Sequence, residues 1–368
     1  MKLIALKDVC KINMGQSPNS SSYNDYGDGM PFFQGNADFG ERYPITRVWC
    51  NTPTKIAQAE DILISVRAPI GALNYAKEEC CIGRGLAAIT PDRNKVSQDF
   101  IYWALKGKKA ELNDKGNGST FKAISRKILE ETMIPDINFE QQHKCAENLE
   151  KIYGIIQNRR KELLALDDLI KARFVEMFGD SASNEKGWKM NTFGDICTVR
   201  QGLQIPISKR LTEYEEDSYE YITVQYLHGG KEKEYIKSPK ESVKCTKDDI
   251  LMTRTGNTGM VVTNVEGVFH NNFFLIDFDR ERFEKDFLVE YLNLDLIQAD
   301  ITRRAGTSTI PDLNHGEFYK IKVFEPPIDL QKEFDEFKMQ VDKSKVAVQK
   351  ALDETQTLFD SLMQEYFG

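Results

Sequence analysis

Short apolar runs bounded by Gly, Pro, Asn and Asp fill residues 1–138, and the same texture returns over residues 191–328. Runs such as Asp61-Ile62-Leu63-Ile64-Ser65-Val66 and Tyr221-Ile222-Thr223-Val224 predict strands ending in tight turns. Residues 99–105 and 286–296 carry helical spacing and predict amphipathic helices at matching places. After Pro135-Asp136-Ile137-Asn138 and after Pro326-Pro327-Ile328-Asp329 the pattern changes to apolar positions in steps of three and four. Ile152, Ile156, Arg159, Leu163, Leu166, Ile170, Arg173 and Met177 form one a/d seam; Val341, Lys345, Val348, Leu352, Thr355, Phe359, Leu362 and Tyr366 form a second. Arg159, Arg173 and Lys345 weaken these seams. Asn138 with Gln141 predicts a capping box, Gly179 a C-cap, and residues 180–186 a polar linker. The pattern therefore predicts an α+β chain with mixed regions at 1–138 and 191–328, long helices at 139–179 and 329–368, and a linker at 180–190.

The two halves also match residue by residue, with a period of about 187 to 190. Asp8-Val9-Cys10 with Gly15 returns as Asp195-Ile196-Cys197 with Gly202. Asp61-Ile62-Leu63-Ile64-Ser65 with Gly71 returns as Asp249-Ile250-Leu251-Met252-Thr253 with Gly259. Asp99-Phe100, Ser119-Thr120 and Phe178-Gly179 recur as Asp286-Phe287, Ser308-Thr309 and Phe367-Gly368. A repeat this long is a duplicated domain, since solenoid units run about 20–50 residues. Each helix would be about 60 Å long, whereas the linker reaches at most about 40 Å. The second helix is thus expected to return antiparallel to the first, with the two globular parts related by a pseudo-two-fold axis.

Composition narrows the class without naming it. The chain of 368 residues is 40% hydrophobic and 29% charged, as expected for a globular protein of two or more domains. No apolar run approaches the length of a membrane span, and Met1 to Asp8 lacks a signal-peptide core, so a cytoplasmic location is expected. Seven cysteines, two of them adjacent at Cys80-Cys81, do not suit a disulfide framework, and Cys10 and Cys197 read as small core residues. The net charge of −8 means that any nucleic-acid surface has to be a local patch.

The joint order of several short features, found twice, resembles the specificity subunit of type I restriction-modification enzymes. Leu6-Lys7-Asp8-Val9-Cys10 with Gly15, Phe193-Gly194-Asp195-Ile196-Cys197 with Gly202, the Asp-Ile-Leu strands, the Gly-Ser-Thr loop at 118 and the Gly-Thr-Ser-Thr loop at 306, and the tail Arg173-Phe174-Val175-Glu176-Met177-Phe178-Gly179 carry that resemblance. It implies two strand-rich target-recognition domains that read the halves of an interrupted, asymmetric site in double-stranded DNA. The helices would act as an antiparallel coiled-coil spacer and as the docking site for two methyltransferase subunits, through which restriction and translocase subunits join. It further implies no cofactor in this chain, S-adenosylmethionine in the methyltransferase partner, and ATP and Mg in the restriction partner.

Base edges in DNA are read by Arg or Lys and by Asn or Gln, while Ser, Thr and main-chain amides hold phosphates. On loops beside the repeated scaffold residues, the candidates are Gln16, Ser17, Asn36, Arg67, Arg84 and Lys122 in the first half. In the second they are Gln204, Arg254, Asn257, Asn271, Asn272, Ser308 and Thr309. The helix-seam candidates are Ile156, Leu163, Leu166 and Ile170 opposite Val348, Leu352, Phe359 and Leu362. Enzyme readings are weaker: no phosphate-binding loop, dinucleotide glycine pattern, adenine-methyltransferase tetrapeptide or paired Cys-x-x-Cys occurs. Pro311-Asp312 with Glu336-Phe337-Lys338 imitates a metal-nuclease pattern, but positions i and i+2 of a helix face apart. His143 and Cys145 suit a helix start better than a metal site. A coiled-coil adaptor that binds only protein is the remaining alternative.

Overall fold

The computed structural model describes residues 2–116, 122–227, 229, 232–306 and 311–368. It divides into two compact units, one of Met1–Lys161 with Gln349–Gly368 and the other of Glu162–Val348. The last turns of the chain thus belong to the first unit.

In the first unit an antiparallel sheet runs in the order Cys10–Met14, Leu86–Pro91, Ile62–Ser65, Leu73–Tyr75. A five-stranded sheet contains the parallel pair Met30–Phe33 and Cys80–Ile82, and Leu3–Ala5 pairs with Met133–Pro135. The second unit repeats this plan. Its antiparallel sheet runs Cys197–Gln201, Phe273–Phe278, Ile250–Thr253, Val261–Val262. Its mixed sheet has the parallel pair Ser218–Ile222 and Gly267–Phe269, and Lys189–Thr192 pairs with Lys322–Glu325.

Repeated residues carry the same bonds in both units. Asp61 accepts from the Gln58 amide at 2.8 Å, as Asp249 does from Thr246 at 2.8 Å, closing the turn that launches each central strand. Those strands, Ile62–Ser65 and Ile250–Thr253, are buried on both faces, which explains their unbroken apolar run. At their ends the Ser65 hydroxyl donates to the Pro69 carbonyl at 2.7 Å and accepts from Ala72 N at 2.9 Å. Thr253 makes the matching bonds to the Asn257 carbonyl and Met260 N. Gly71 and Gly259 close the two loops with φ of 84° and 90°, where a side chain would strain the backbone. Cys10 and Cys197 are buried, and burial pushes both thiols up to about 12.

Two predicted elements come out differently. The helix expected over 286–296 is two helices, Lys285–Asn293 and Asp295–Ala305, because Leu294 is extended with ψ of 137°. The strand expected through Val224 stops at Ile222; the Thr223 hydroxyl accepts from Tyr226 N and caps the short helix Val224–Leu227.

The long helices span Phe139–Phe178 and Ile328–Phe367. Asn138 and Gln141 exchange side-chain bonds of 2.9 and 3.3 Å, a reciprocal capping box, and Gly179 ends the first helix at φ 83°. In the first unit Asn148 meets Tyr366, and Arg159 donates to the Ala351 carbonyl and the Thr355 hydroxyl. In the second, Asp167 pairs with Lys345 and Arg173 with Glu333. Within each unit, rising numbers on one helix therefore meet falling numbers on the other, an antiparallel packing. Ile156, Ile170, Leu352 and Phe359 are buried, and Leu163, Leu166, Val348 and Leu362 are half-buried. Each unit fastens the helices with aromatic rings: Phe359 against Trp103 and Phe367 against Phe100 in the first, and Phe174 and Phe178 against Phe287 and Phe334 in the second. No helix among the described residues is long and apolar enough to cross a membrane.

Candidate nucleic-acid interface

In the first unit the candidate loops converge on the turn Gly83-Arg84-Gly85. Gly15 N donates to the Leu86 carbonyl at 2.9 Å and Gln16 N to that of Ile82 at 3.0 Å. A Cβ on Gly15 would drive into the Gly83 carbonyl oxygen, so only glycine lets the two loops touch. Arg84 N donates to the Ser17 hydroxyl at 3.2 Å, Gly85 N to the Gln34 carbonyl at 3.1 Å, and Val66 N to the Gly85 carbonyl at 2.9 Å. Ala68 N donates to the Lys122 carbonyl at 3.1 Å, which brings Lys122 beside Arg67. Asn36 and Arg67 line one cavity of about 400 Å³. Gln16, Arg67, Arg84 and Lys122 are exposed, and among the described residues no carboxylate pairs with Arg67, Arg84 or Lys122. Six candidates thus gather on one loop cluster, with three cations available for phosphate or base edges.

The second unit keeps the frame and changes the chemistry. Gly202 N and Leu203 N donate to the Phe273 and Phe269 carbonyls, and a Cβ on Gly202 would drive into the His270 carbonyl. Arg254 N donates to the Asn272 carbonyl at 2.7 Å, as Val66 does to Gly85 in the first unit. The Arg254 guanidinium, however, is engaged: Nε and Nη2 donate to Asp312 at 2.8 and 2.6 Å, and Nη1 to Gln201 Oε1 at 3.1 Å. The guanidinium hydrogen bond holds the Asp312 carboxyl below the usual carboxylate range. His315 Nε2 reaches the same Gln201 oxygen at 2.8 Å, and burial followed by the Arg254 charge lowers its pKa. Asn271 and Asn272 are half-buried on the turn after His270, whose Nδ1 accepts from Asn272 N at 3.1 Å. Gln204 and Asn257 are exposed on neighbouring loops. Ser308 and Thr309, like the Ser119-Thr120 loop, lie outside the described residues.

Gln201, Asp312 and His315 were not singled out as binding residues by the sequence. Their signal lies in the internal repeat, where Met14, Val66, Ala123 and Arg126 stand opposite Gln201, Arg254, Asp312 and His315, so that the four partners change together. The nuclease-like pattern is dispersed: Asp312 serves Arg254, while Lys338 pairs with Asp286 and Glu290 at 3.0 and 3.1 Å. Among the described residues no cluster of His, Cys, Asp and Glu is arranged to hold a metal.

Comparison with known proteins gives the same duplicated picture. The "Putative type I restriction enzyme MjaX specificity subunit" of Methanocaldococcus jannaschii is 47% identical over 152 residues, 41% of this chain and 36% of that protein. The MjaIX specificity subunit of the same organism is 26% identical over 251 residues, 61% of this chain and 57% of that protein. The matched stretches thus span from about a third to just over half of those relatives' lengths. Among solved structures, the type I restriction-modification S subunit from M. genitalium has a TM-score of 0.65 at 17% identity, covering 100% of this chain and 96% of that one. A chain from a study of type I R-M assembly has a TM-score of 0.59 at 15% identity, covering 100% and 97%. These two establish the fold. The model of the type I restriction modification DNA specificity domain matches residues 1–165 and again 185–355, once over each repeat, and the chain belongs to that family.

Proposed function

We propose that this chain is the sequence-specificity subunit of a type I restriction-modification system, reading one half of a bipartite, asymmetric DNA site with each repeat. The observation that carries this reading is a shared hydrogen-bonded frame bearing different side chains. Gly15 and Gly202, Asp61 and Asp249, and Ser65 and Thr253 hold equivalent loops, but those loops carry Arg67, Arg84 and Lys122 in one repeat and a set of amides, Gln204, Asn257, Asn271 and Asn272, in the other. Arginine suits guanine and asparagine suits adenine, so the two half-sites differ. The loop candidates other than Arg254, whose guanidinium is engaged by Asp312 and Gln201, divide between base edges and phosphates, with Ser17, Ser308 and Thr309 on phosphates. The long helices, packed on each other through their seams, dock two methyltransferase subunits on their outer faces; those subunits hold S-adenosylmethionine and do the chemistry. Restriction and translocase subunits, with ATP and Mg, join through that complex in the cytoplasm, and this chain only aims them.

Methylome sequencing of cells that carry the chain with its cognate methyltransferase tests this directly. A methylated motif of two short, unlike sequences separated by a fixed gap is expected. Its disappearance when the chain is deleted completes the result; methylation that persists unchanged without the chain overturns the proposal.

A further inference from the structure

The second unit contains a side-chain relay absent from the first. Gln201 ends the strand Cys197–Gln201, Arg254 follows Ile250–Thr253, Asp312 sits in an isolated bridge to Thr255, and His315 opens the helix His315–Tyr319. Arg254 and His315 meet at the Gln201 amide, and Asp312 joins them through the Arg254 guanidinium. Gln201 Oε1 accepts from Arg254 Nη1 and from His315 Nε2, while Gln201 Nε2 donates to the Asn271 carbonyl at 2.6 Å and to that of Phe273 at 3.3 Å. Turning the amide over would set its NH2 against the guanidinium and its oxygen against two carbonyls, so the orientation is fixed by its neighbours. With that oxygen accepting, His315 carries its proton on Nε2.

The Asn271-Asn272 turn is therefore held from both sides, by Gln201 on the Asn271 carbonyl and by Arg254 N on the Asn272 carbonyl. In the first unit Met14, Val66 and Ala123 occupy the places of Gln201, Arg254 and Asp312, and the same frame forms with Val66 buried. The fold itself does not need the relay. Three of the five guanidinium N–H groups of Arg254 are already committed, two of them to a carboxylate.

Resting on the specificity reading above, we infer that Gln201, Arg254 and Asp312 are positioning residues: they fix the Asn271-Asn272 turn for one DNA half-site and make no contact with DNA themselves. Asn271 and Asn272 then present the amides that suit an adenine edge, and the ion pair acts through them.

The test uses the chain assembled with its methyltransferase partner and duplexes carrying the site defined by methylome mapping, titrated across a salt series. The variants are Arg254→Ala, Asp312→Ala, their double, and Gln201→Met, the residue found at the matching place in the first repeat. Discrimination at one position of one half-site is expected to fall by about tenfold in each variant, with the double no worse than either single. The other half-site should be unaffected, and the slope of log K against log salt unchanged. Should the double fail to fold, Gln201→Met carries the same expectation. A slope lowered by about one in Arg254→Ala marks a phosphate contact and overturns the inference. So does full discrimination in Asp312→Ala or in Gln201→Met, since each breaks the relay. A wild-type complex that binds every duplex alike overturns the specificity reading itself, and the inference with it.

Discussion

Lys345 and Asp167 form an ion pair of 2.6 Å across the helix seam, so a charge placed at an apolar heptad position has its partner on the opposite helix. Arg159 and Arg173, the other charges of the seam, likewise reach Thr355 and Glu333. The Lys345 and Asp167 side chains remain 30% and 48% exposed, and such pairs contribute about 1 kcal/mol or less. Lys345→Ala is expected to change stability by no more than that. Leu352 is only 9% exposed, and Leu352→Asp would bury an unpaired charge at a cost of about 3 kcal/mol or more. Leu163→Asp, at a half-buried position, should cost less. Denaturant unfolding of the three variants checks the ranking, and a Leu352→Asp protein as stable as wild type would mean the seam does not hold the helices.

Gly202 sets how closely its own loop approaches the turn at His270. Because a Cβ there meets the His270 carbonyl oxygen and the backbone around it, Gly202→Ala forces the turn outward, an overpacking cost of about 1–3 kcal/mol. The expected outcome is a lowered melting temperature together with weakened recognition of one half-site. Wild-type melting in Gly202→Ala would show that the two loops are not in contact.

Much of this fold is legible in the sequence, and the reason is physical. The Asp, Gly and Ser/Thr residues that recur between the repeats are those whose side chains or conformations close turns, and turn chemistry is local. The seams were legible for the same reason, since a heptad states which face is buried. Residues 286–296 misled because apolar periodicity continues through Leu294, although the backbone there is extended. The ion pair of Arg254 was not legible, because a single position gives no hint of its partner 58 residues away. That partner shows only when the two repeats are compared and Val66 with Ala123 is seen opposite Arg254 with Asp312.

Acid should weaken the second unit through Glu325. Hydrogen bonds from Arg282, Asn191 and Lys189 lower its carboxyl from the ordinary glutamate range to about 2. A depressed acid pKa stabilises the fold above the unfolded value, and that contribution is lost as pH falls through the folded value. Glu325→Gln is therefore expected to be less stable than wild type at pH 7, by about 1 kcal/mol after solvent screening. The gap should close as the pH approaches 2, and a gap independent of pH between 2 and 7 would show the carboxylate is not so held.

Asp335 predicts the opposite dependence. It lies half-buried on the second long helix, and its carboxyl is pushed up to about 7, first by burial and then by Asp286 and Glu284. Lys338 lowers it in part, but that ammonium is shared with Asp286 and Glu290. A raised acid pKa means that the folded state holds a proton the unfolded chain releases. Ionising Asp335 thus destabilises the fold progressively from about pH 4 to pH 7, and by a constant amount above it. Asp335→Asn removes the ionisation while keeping the shape. The variant and wild type should unfold alike near pH 4, and the variant should gain about 1–3 kcal/mol over wild type by pH 8. Parallel stability curves over that range would place Asp335 in water, clear of the acidic neighbours that now face it.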